Sequence, residues 1–257
     1  MEGCPACGGS VQALGVWRHR WWVCSACGSA SREPRRSEPE REIAYFRNSD
    51  PDSGVREVAL VRGWLADAGI RPSGRVLDVG GGPGWVAADL AAAPDVTGTL
   101  LLEFSPHARA HADGLGVAAS PFDFQGGELA ERAPGTWNLL LVRYSLPWCL
   151  NLSRFAQALR EVAAPDAALV VTWVLPGRGA FAISQFEHEA PDRLYSERFV
   201  DDTFAAAGWR LTRRFTPAAP MFHPSVSWRW LLGLPVLLRP GPESGFRQRH
   251  AGRVFAV

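Results

Sequence analysis

Four cysteines open the chain as two pairs, Cys4-Pro5-Ala6-Cys7 and Cys24-Ser25-Ala26-Cys27, sixteen residues apart. Zinc prefers four soft donors in a tetrahedron, and each Cys-x-x-Cys turn offers two thiolates, with Gly8 and Gly28 following the pairs. A disulfide framework would call for a secretory leader, and Met1 to Gly9 has neither a basic start nor an apolar run. The expectation is a reducing, cytoplasmic setting and a zinc site at Cys4, Cys7, Cys24 and Cys27. Four thiolates leave no open coordination position, so this zinc is expected to be structural. A redox-active pair would open a helix, whereas the residues between the pairs, Val16 to Val23, read as hairpin strands. The fifth cysteine, Cys149, stands alone among apolar neighbours and reads as a buried thiol.

The second chemical signal is Arg75-Val76-Leu77-Asp78-Val79-Gly80-Gly81-Gly82-Pro83-Gly84-Trp85. A short apolar strand ends in an acid, a glycine turn follows, and an amphipathic helix resumes at Trp85. Glycines let the backbone come close to a ligand and adopt positive φ. A dinucleotide fingerprint starting at Gly80 would need glycine or alanine at position 85, where Trp85 stands. Asp78 would also repel a pyrophosphate; it suits a cationic ligand. A nicotinamide-dependent oxidoreductase is therefore disfavoured.

These signals need elements to hold them. The chain has 257 residues, 47% of them hydrophobic, enough for one large core with a small appendage. Formal net charge is +1, and all the basic side chains are arginine. A nucleic-acid binder normally carries a clear basic excess, which is absent; Arg18, His19, Arg20, Arg32, Arg35 and Arg36 are partly offset by Glu33, Glu38, Glu40 and Glu42. The organisation expected is a zinc ribbon at 1–31, a charged, proline-broken linker and cap at 32–54, and an α/β domain at 55–257. Apolar residues at helical spacing from Val58 to Ala68 predict a helix ahead of the first strand. Later strands are expected at Thr99 to Glu103, Trp137 to Val142, Ala168 to Val174, Trp209 to Phe215 and Arg253 to Val257, with helices at Phe155 to Ala163 and Ser196 to Ala207. Ser105 and Pro106 read as N-cap and first residue of another helix.

Asp78-x-Gly80-x-Gly82-x-Gly84 on a strand, turn and helix resembles motif I of the class I S-adenosylmethionine-dependent methyltransferases. The resemblance covers residues 55 to 215 and implies a Rossmann-like seven-stranded sheet with helices on both faces. It implies that the turn passes under the cofactor and that Asp78 serves its amino-acid end. The acid closing the second strand, Glu103, would accept from the ribose hydroxyls, with Phe104 beside it. Asp123 would accept from the adenine amino group while Phe122 or Phe124 stacks on the ring. Arg143 and Tyr144, after the fourth strand, would line the cofactor and face the substrate. The ribbon and linker resemble a bacterial subgroup in which a CPxCG module precedes the catalytic domain, often in sugar or secondary-metabolite pathways. That implies methylation of a small-molecule oxygen or nitrogen. A zinc-ribbon rRNA methyltransferase and a non-catalytic protein whose ribbon docks a partner are the alternatives. For an oxygen acceptor the candidate base is His188, because imidazole titrates near neutrality, with Tyr144 and Tyr195 behind it.

One segment departs from the resemblance. Thr216 to His250 separates the last two strands, where the family hairpin is short. Its apolar run, Trp230 to Leu238, is short of the ~20 residues needed to span a bilayer. The readings, in order, are a substrate lid, a homodimer surface and a membrane-interface patch.

Overall fold

A hairpin this rich in tryptophan must cover one face, and β1 (Val11–Val16), β2 (His19–Cys24) and β3 (Ala30–Arg32) form an antiparallel sheet that does so. The computed structural model describes residues 3–16, 19–32, 51–124, 129–149, 151–176, 193–217 and 250–257. Most of the linker, the segment around His188 and 218–249 lie outside the described residues. After α1 (Pro51–Asp67) come β4 (Gly74–Val79), α2 (Trp85–Ala91), β5 (Val96–Glu103), α3 (Pro106–Gly114), β6 (Ala119–Pro121), α4 (Leu129–Arg132) and β7 (Trp137–Arg143). A 3₁₀ turn at Leu146–Trp148, α5 (Leu152–Glu161), β8 (Ala163–Val174), β9 (Arg193–Leu194), α6 (Glu197–Ala206), β10 (Arg210–Phe215) and β11 (His250–Ala256) complete it.

Strands buried on both faces pair in parallel between helical layers. The main sheet runs β10-β11-β8-β7-β4-β5-β6; β4 through β8 are mutually parallel, and β10 and β11 close it as an antiparallel pair. This is the seven-stranded sheet expected. Alternation along each strand then sorts residues to two cores. Leu77, Val79, Leu140, Val142, Leu169 and Val171 face α5 and α6, where Phe155, Leu159 and Phe204 are buried. Val76, Leu139, Leu141 and Val170 face Val61, Trp64 and Leu65 of α1 and Val86 and Leu90 of α2. The same parity sends Asp78 and Arg143 toward α1.

Local capping follows the sequence. Ser105 Oγ accepts the Ala108 N–H at 3.2 Å with Pro106 first in α3. Ser196 Oγ accepts the Phe199 N–H at 3.2 Å at the start of α6. Two boundaries differ from expectation. α1 starts at Pro51, inside the expected cap, because proline is well suited to a first helical turn. The ribbon is not a self-contained hairpin: β9, from the far end of the chain, joins it to give the order β1-β2-β3-β9. Ala30 pairs with Leu194 and Ser31 with Arg193, and Trp21, fully buried, packs with Ala30 and Leu194. No described helix is long and apolar enough to cross a membrane.

Candidate active site and metal centre

At the carboxyl edge of the main sheet, the chain leaves β4 toward β5 on one side while β7 flanks it on the other. Their outgoing loops diverge there and leave the crevice where ligands of open α/β sheets bind. Several sequence-predicted residues at this edge have definite partners.

Asp78 is fully buried, and both its oxygens accept from Arg143: Nη2 to Oδ2 at 2.8 Å and Nε to Oδ1 at 3.3 Å. Arg143 Nη1 donates to Glu57 Oε1 from α1, and Nη2 also reaches the Gly81 carbonyl at 3.4 Å. The positive group facing Asp78 is thus a guanidinium of the protein. Burial alone would lower the Arg143 pKa, but the charges of Asp78 and Glu57 outweigh it and hold the group protonated. Sequence reasoning missed Glu57. Its signal was an acid at i−4 and i−7 from Val61 and Trp64, on the stripe that α1 buries.

The glycine turn is shaped for a close neighbour. Gly80 has φ 69°, and a Cβ there would meet Ser145 Oγ at 2.2 Å; Ser145 Oγ itself donates to the Gly80 carbonyl at 3.1 Å. Gly82 has φ 60° and nothing within 4 Å of where its Cβ would stand, so its outer face is open to a ligand. Gly84 instead faces Ala112 of α3, 2.7 Å from its would-be Cβ, and serves helix packing.

Glu103 stands beside Gly82. Its Oε2 accepts the Gly82 N–H at 2.9 Å and Oε1 the Ser105 N–H at 3.0 Å. Each oxygen keeps a lone pair, which suits two vicinal hydroxyls. Burial pushes the Glu103 carboxyl up, against the lowering effect of these N–H groups. A folded pKa above the unfolded one means that folding holds the proton more tightly. The contribution of Glu103 to stability is therefore expected to be fully present below the ordinary carboxylate range and to be lost as pH rises through the folded pKa. Urea unfolding at a series of pH values, repeated on Glu103→Gln, checks this: the variant should lose that part of the slope.

The remaining wall is aromatic. Phe124 approaches the Gly80 turn, 3.0 Å from its would-be Cβ, and packs on Phe122 and Phe155 with centroids 5.2 and 5.3 Å away. Asp123 and Phe104 are exposed at the same edge. Tyr144 has φ 55°, a left-handed backbone at a bulky residue and the kind of strain that collects at functional sites. Burial pushes its phenol up, so it is held neutral and is a poor base. Tyr195 is committed elsewhere, donating to the Cys149 carbonyl at 2.6 Å. Burial pushes the Cys149 thiol up to about 12, so it stays unreactive at neutral pH. His188 lies outside the described residues.

The four cysteines converge at the other end of the chain's first sheet. All four sulfurs lie within 4.8 Å of one another, with Cys4 Sγ to Cys27 Sγ 3.8 Å and Cys7 Sγ to Cys24 Sγ 3.6 Å. A tetrahedral zinc with 2.3 Å bonds sets sulfurs about 3.8 Å apart. The two turns are built alike: Gly8 N–H bonds the Cys4 carbonyl at 2.8 Å and Gly28 N–H the Cys24 carbonyl at 3.0 Å. No pair of the four is joined as a disulfide. The donor set fits zinc. Beside it, Ser196 Oγ donates to the Cys27 carbonyl, and Ser29 Oγ accepts the Ser196 N–H at 3.2 Å.

A seven-stranded sheet of this order, with a glycine turn after its first strand and a ribose-competent acid after its second, defines a class I S-adenosylmethionine-dependent methyltransferase. Residues 45–214 match the family model described as a methyltransferase domain. An uncharacterized methyltransferase of Mycobacterium ulcerans (strain Agy99) is 27% identical over 239 residues, covering 80% of this chain and 91% of that protein. Among solved structures, a chain from the complex of the Haloferax volcanii Trm112 methyltransferase activator with a methyltransferase aligns at TM-score 0.63 and 14% identity, over 87% of this chain and 99% of that one. Magnesium protoporphyrin IX methyltransferase from Synechocystis PCC 6803, with bound SAH, aligns at TM-score 0.54 and 12% identity, over 87% and 89%. The chain belongs to the methyltransferase domain family, and its cofactor is S-adenosylmethionine.

Proposed function

We propose that this chain methylates an oxygen or nitrogen of a small molecule, a sugar or secondary metabolite, and that a structural zinc holds its first 32 residues in the fold. The observation that carries the reading is the pairing of an open-faced Gly82 with Glu103: the turn admits a ligand, and the carboxylate can hold the ribose hydroxyls. Gly80 and Gly82 shape the floor, Gly84 lets α3 pack against the turn, Phe104, Asp123 and Phe124 border the adenine side, and Asp78 and Arg143 fix the turn under the amino-acid end. Bound S-adenosylmethionine supplies a methyl group on an electron-poor sulfonium. With it bound, the acceptor's lone pair would form the new bond to that carbon as the carbon–sulfur bond broke, its electron pair remaining on sulfur. The protein's task is to hold the acceptor in line at near-attack distance. An oxygen acceptor then loses its proton to a base, a role assigned to His188 by its titration range, while Tyr144, neutral and strained, walls the acceptor side.

A near-neutral formal charge of +1 supports a small acceptor over RNA. The protein incubated with S-adenosylmethionine labelled in the methyl group is expected to label a metabolite extract and leave an RNA fraction unlabelled. Label in RNA would overturn the acceptor class, and tight cofactor binding with no transfer to either would favour a non-catalytic protein. Turnover on the metabolite thus identified should fall at least tenfold in His188→Ala; a normal rate would remove that residue from the mechanism.

A further inference from the structure

Two carboxylates, Asp78 and Glu57, share one guanidinium, Arg143, at the cofactor edge. Asp78 and Arg143 form a bidentate pair that balances to zero. Glu57 is the excess, so the cluster carries one net negative charge. The side chains of Asp78, Arg143 and Glu57 are 0%, 3% and 17% exposed, so salt screens this charge far less than it would a surface pair. Glu103 adds a carboxylate nearby, close enough for the charge of Asp78 to raise its pKa as a minor effect beside burial. Arg109 is half-buried and donates to the Glu103 and Phe104 carbonyls at 2.8 and 2.6 Å, with its head at the outer end of β5.

Methyl transfer changes the charge of the bound molecule by one unit. The substrate form carries a sulfonium and the product form a neutral thioether, with the same adenosine and amino-acid ends. Hydrogen bonds to those ends cannot separate the two; a fixed charge can. We infer that Glu57 is a specificity residue that favours the sulfonium form over the thioether product, so that turnover itself weakens the product's hold on the site. This rests on the cofactor assignment and adds to it a direction of exchange. At a separation of about 10 Å, in a medium of effective dielectric ~20–40, a unit charge would change affinity roughly fourfold to seventeenfold.

Glu57 also ties α1 to β7, and a purely structural role would weaken substrate and product alike. Glu57→Gln keeps an acceptor oxygen for Arg143 and removes the charge, so the ratio of affinities is the discriminating quantity. Calorimetry on wild type and Glu57→Gln with S-adenosylmethionine, S-adenosylhomocysteine and sinefungin, whose protonated amine replaces the sulfonium, tests the inference. The preference for the two charged ligands over S-adenosylhomocysteine is expected to drop roughly fivefold to tenfold in Glu57→Gln. Glu57→Asp, which keeps the charge, should retain most of that preference even where its melting temperature falls. Equal weakening of all three ligands in Glu57→Gln, or loss of the preference in Glu57→Asp, overturns the inference. Wild-type protein that binds none of the three would overturn the cofactor assignment itself.

Discussion

Zinc stripped from the four cysteines, or its loss through Cys27→Ser, is expected to lower the melting temperature by about 10 °C and to expose amides far outside the ribbon. The reason is the shared sheet. Small four-thiolate modules fold only around their metal, and here the folded knuckle presents the Cys27 carbonyl to Ser196 and the β3 edge to Arg193 and Leu194. When it opens, Trp21, Ala30 and Leu194 lose their shared burial. A loss of ~3–5 kcal/mol, comparable with truncating one buried tryptophan, shifts a domain of this size by about 2–4 °C per kcal/mol. Hydrogen exchange should show Leu194, Ser196 and Phe199 losing protection together with β1 to β3. Affinity for S-adenosylmethionine should change little, because Gly82 lies in the turn after β4 and Glu103 and Arg143 end β5 and β7 of the other sheet. Undiminished protection at 194–199 in the stripped protein would show that α6 starts without the ribbon's help.

Arg143→Met should be the most damaging single change at the cofactor edge. It leaves Asp78, fully buried, and Glu57, partly buried, with no cation between them. Removing one partner of a buried ion cluster costs about 3–5 kcal/mol, since the charge left behind has neither water nor a counter-ion. The urea midpoint should fall accordingly, and S-adenosylmethionine affinity should drop at least tenfold, because the Gly81 carbonyl loses its contact and the turn its anchor. The triple variant Asp78→Asn, Arg143→Met, Glu57→Gln removes the stranded charges and should recover much of the stability without recovering affinity. A loss below ~1 kcal/mol in the single variant would mean that the two acids are neutralised by other means.

Much of this site was legible because its chemistry is written locally. An apolar strand, an acid and glycines within seven residues announce a strand-turn-helix with a ligand at its mouth, and the family resemblance that this motif carries pointed to Glu103 one strand later. Six of the seven strands were legible from their apolar runs, and the sheet that joins them was implied by the resemblance to the methyltransferase family; β6, three residues long, leaves too little pattern to read. What the sequence concealed depends on distant partners. Asp78 called for a cation, and nothing near it in the chain indicated that Arg143, 65 positions on, supplies one. Glu57 carried no local mark of its role, because its partner, Arg143, lies 86 positions on. β9 is two residues long, too short for any periodic signal, yet it decides that the ribbon shares a sheet with residues of the catalytic domain. The base at His188 and the lid, dimer or interface role of 216–250 fall on residues that are wholly or mostly outside those described.

The pairing of Ala30 with Leu194 also sets an order of events on the ribosome. The cysteine turns emerge first, while the strand that completes their sheet is still 164 positions from synthesis. At 5–20 residues per second the nascent ribbon waits about 10 to 30 seconds with one edge unpaired. An open edge beside Trp21 and Ala30 invites pairing with another chain. A metal captured early at the four cysteines would close the knuckle through that interval and hold β3 in register for its partner. Zinc supply during translation, more than in the finished enzyme, would then govern how much of this protein a cell recovers in active form.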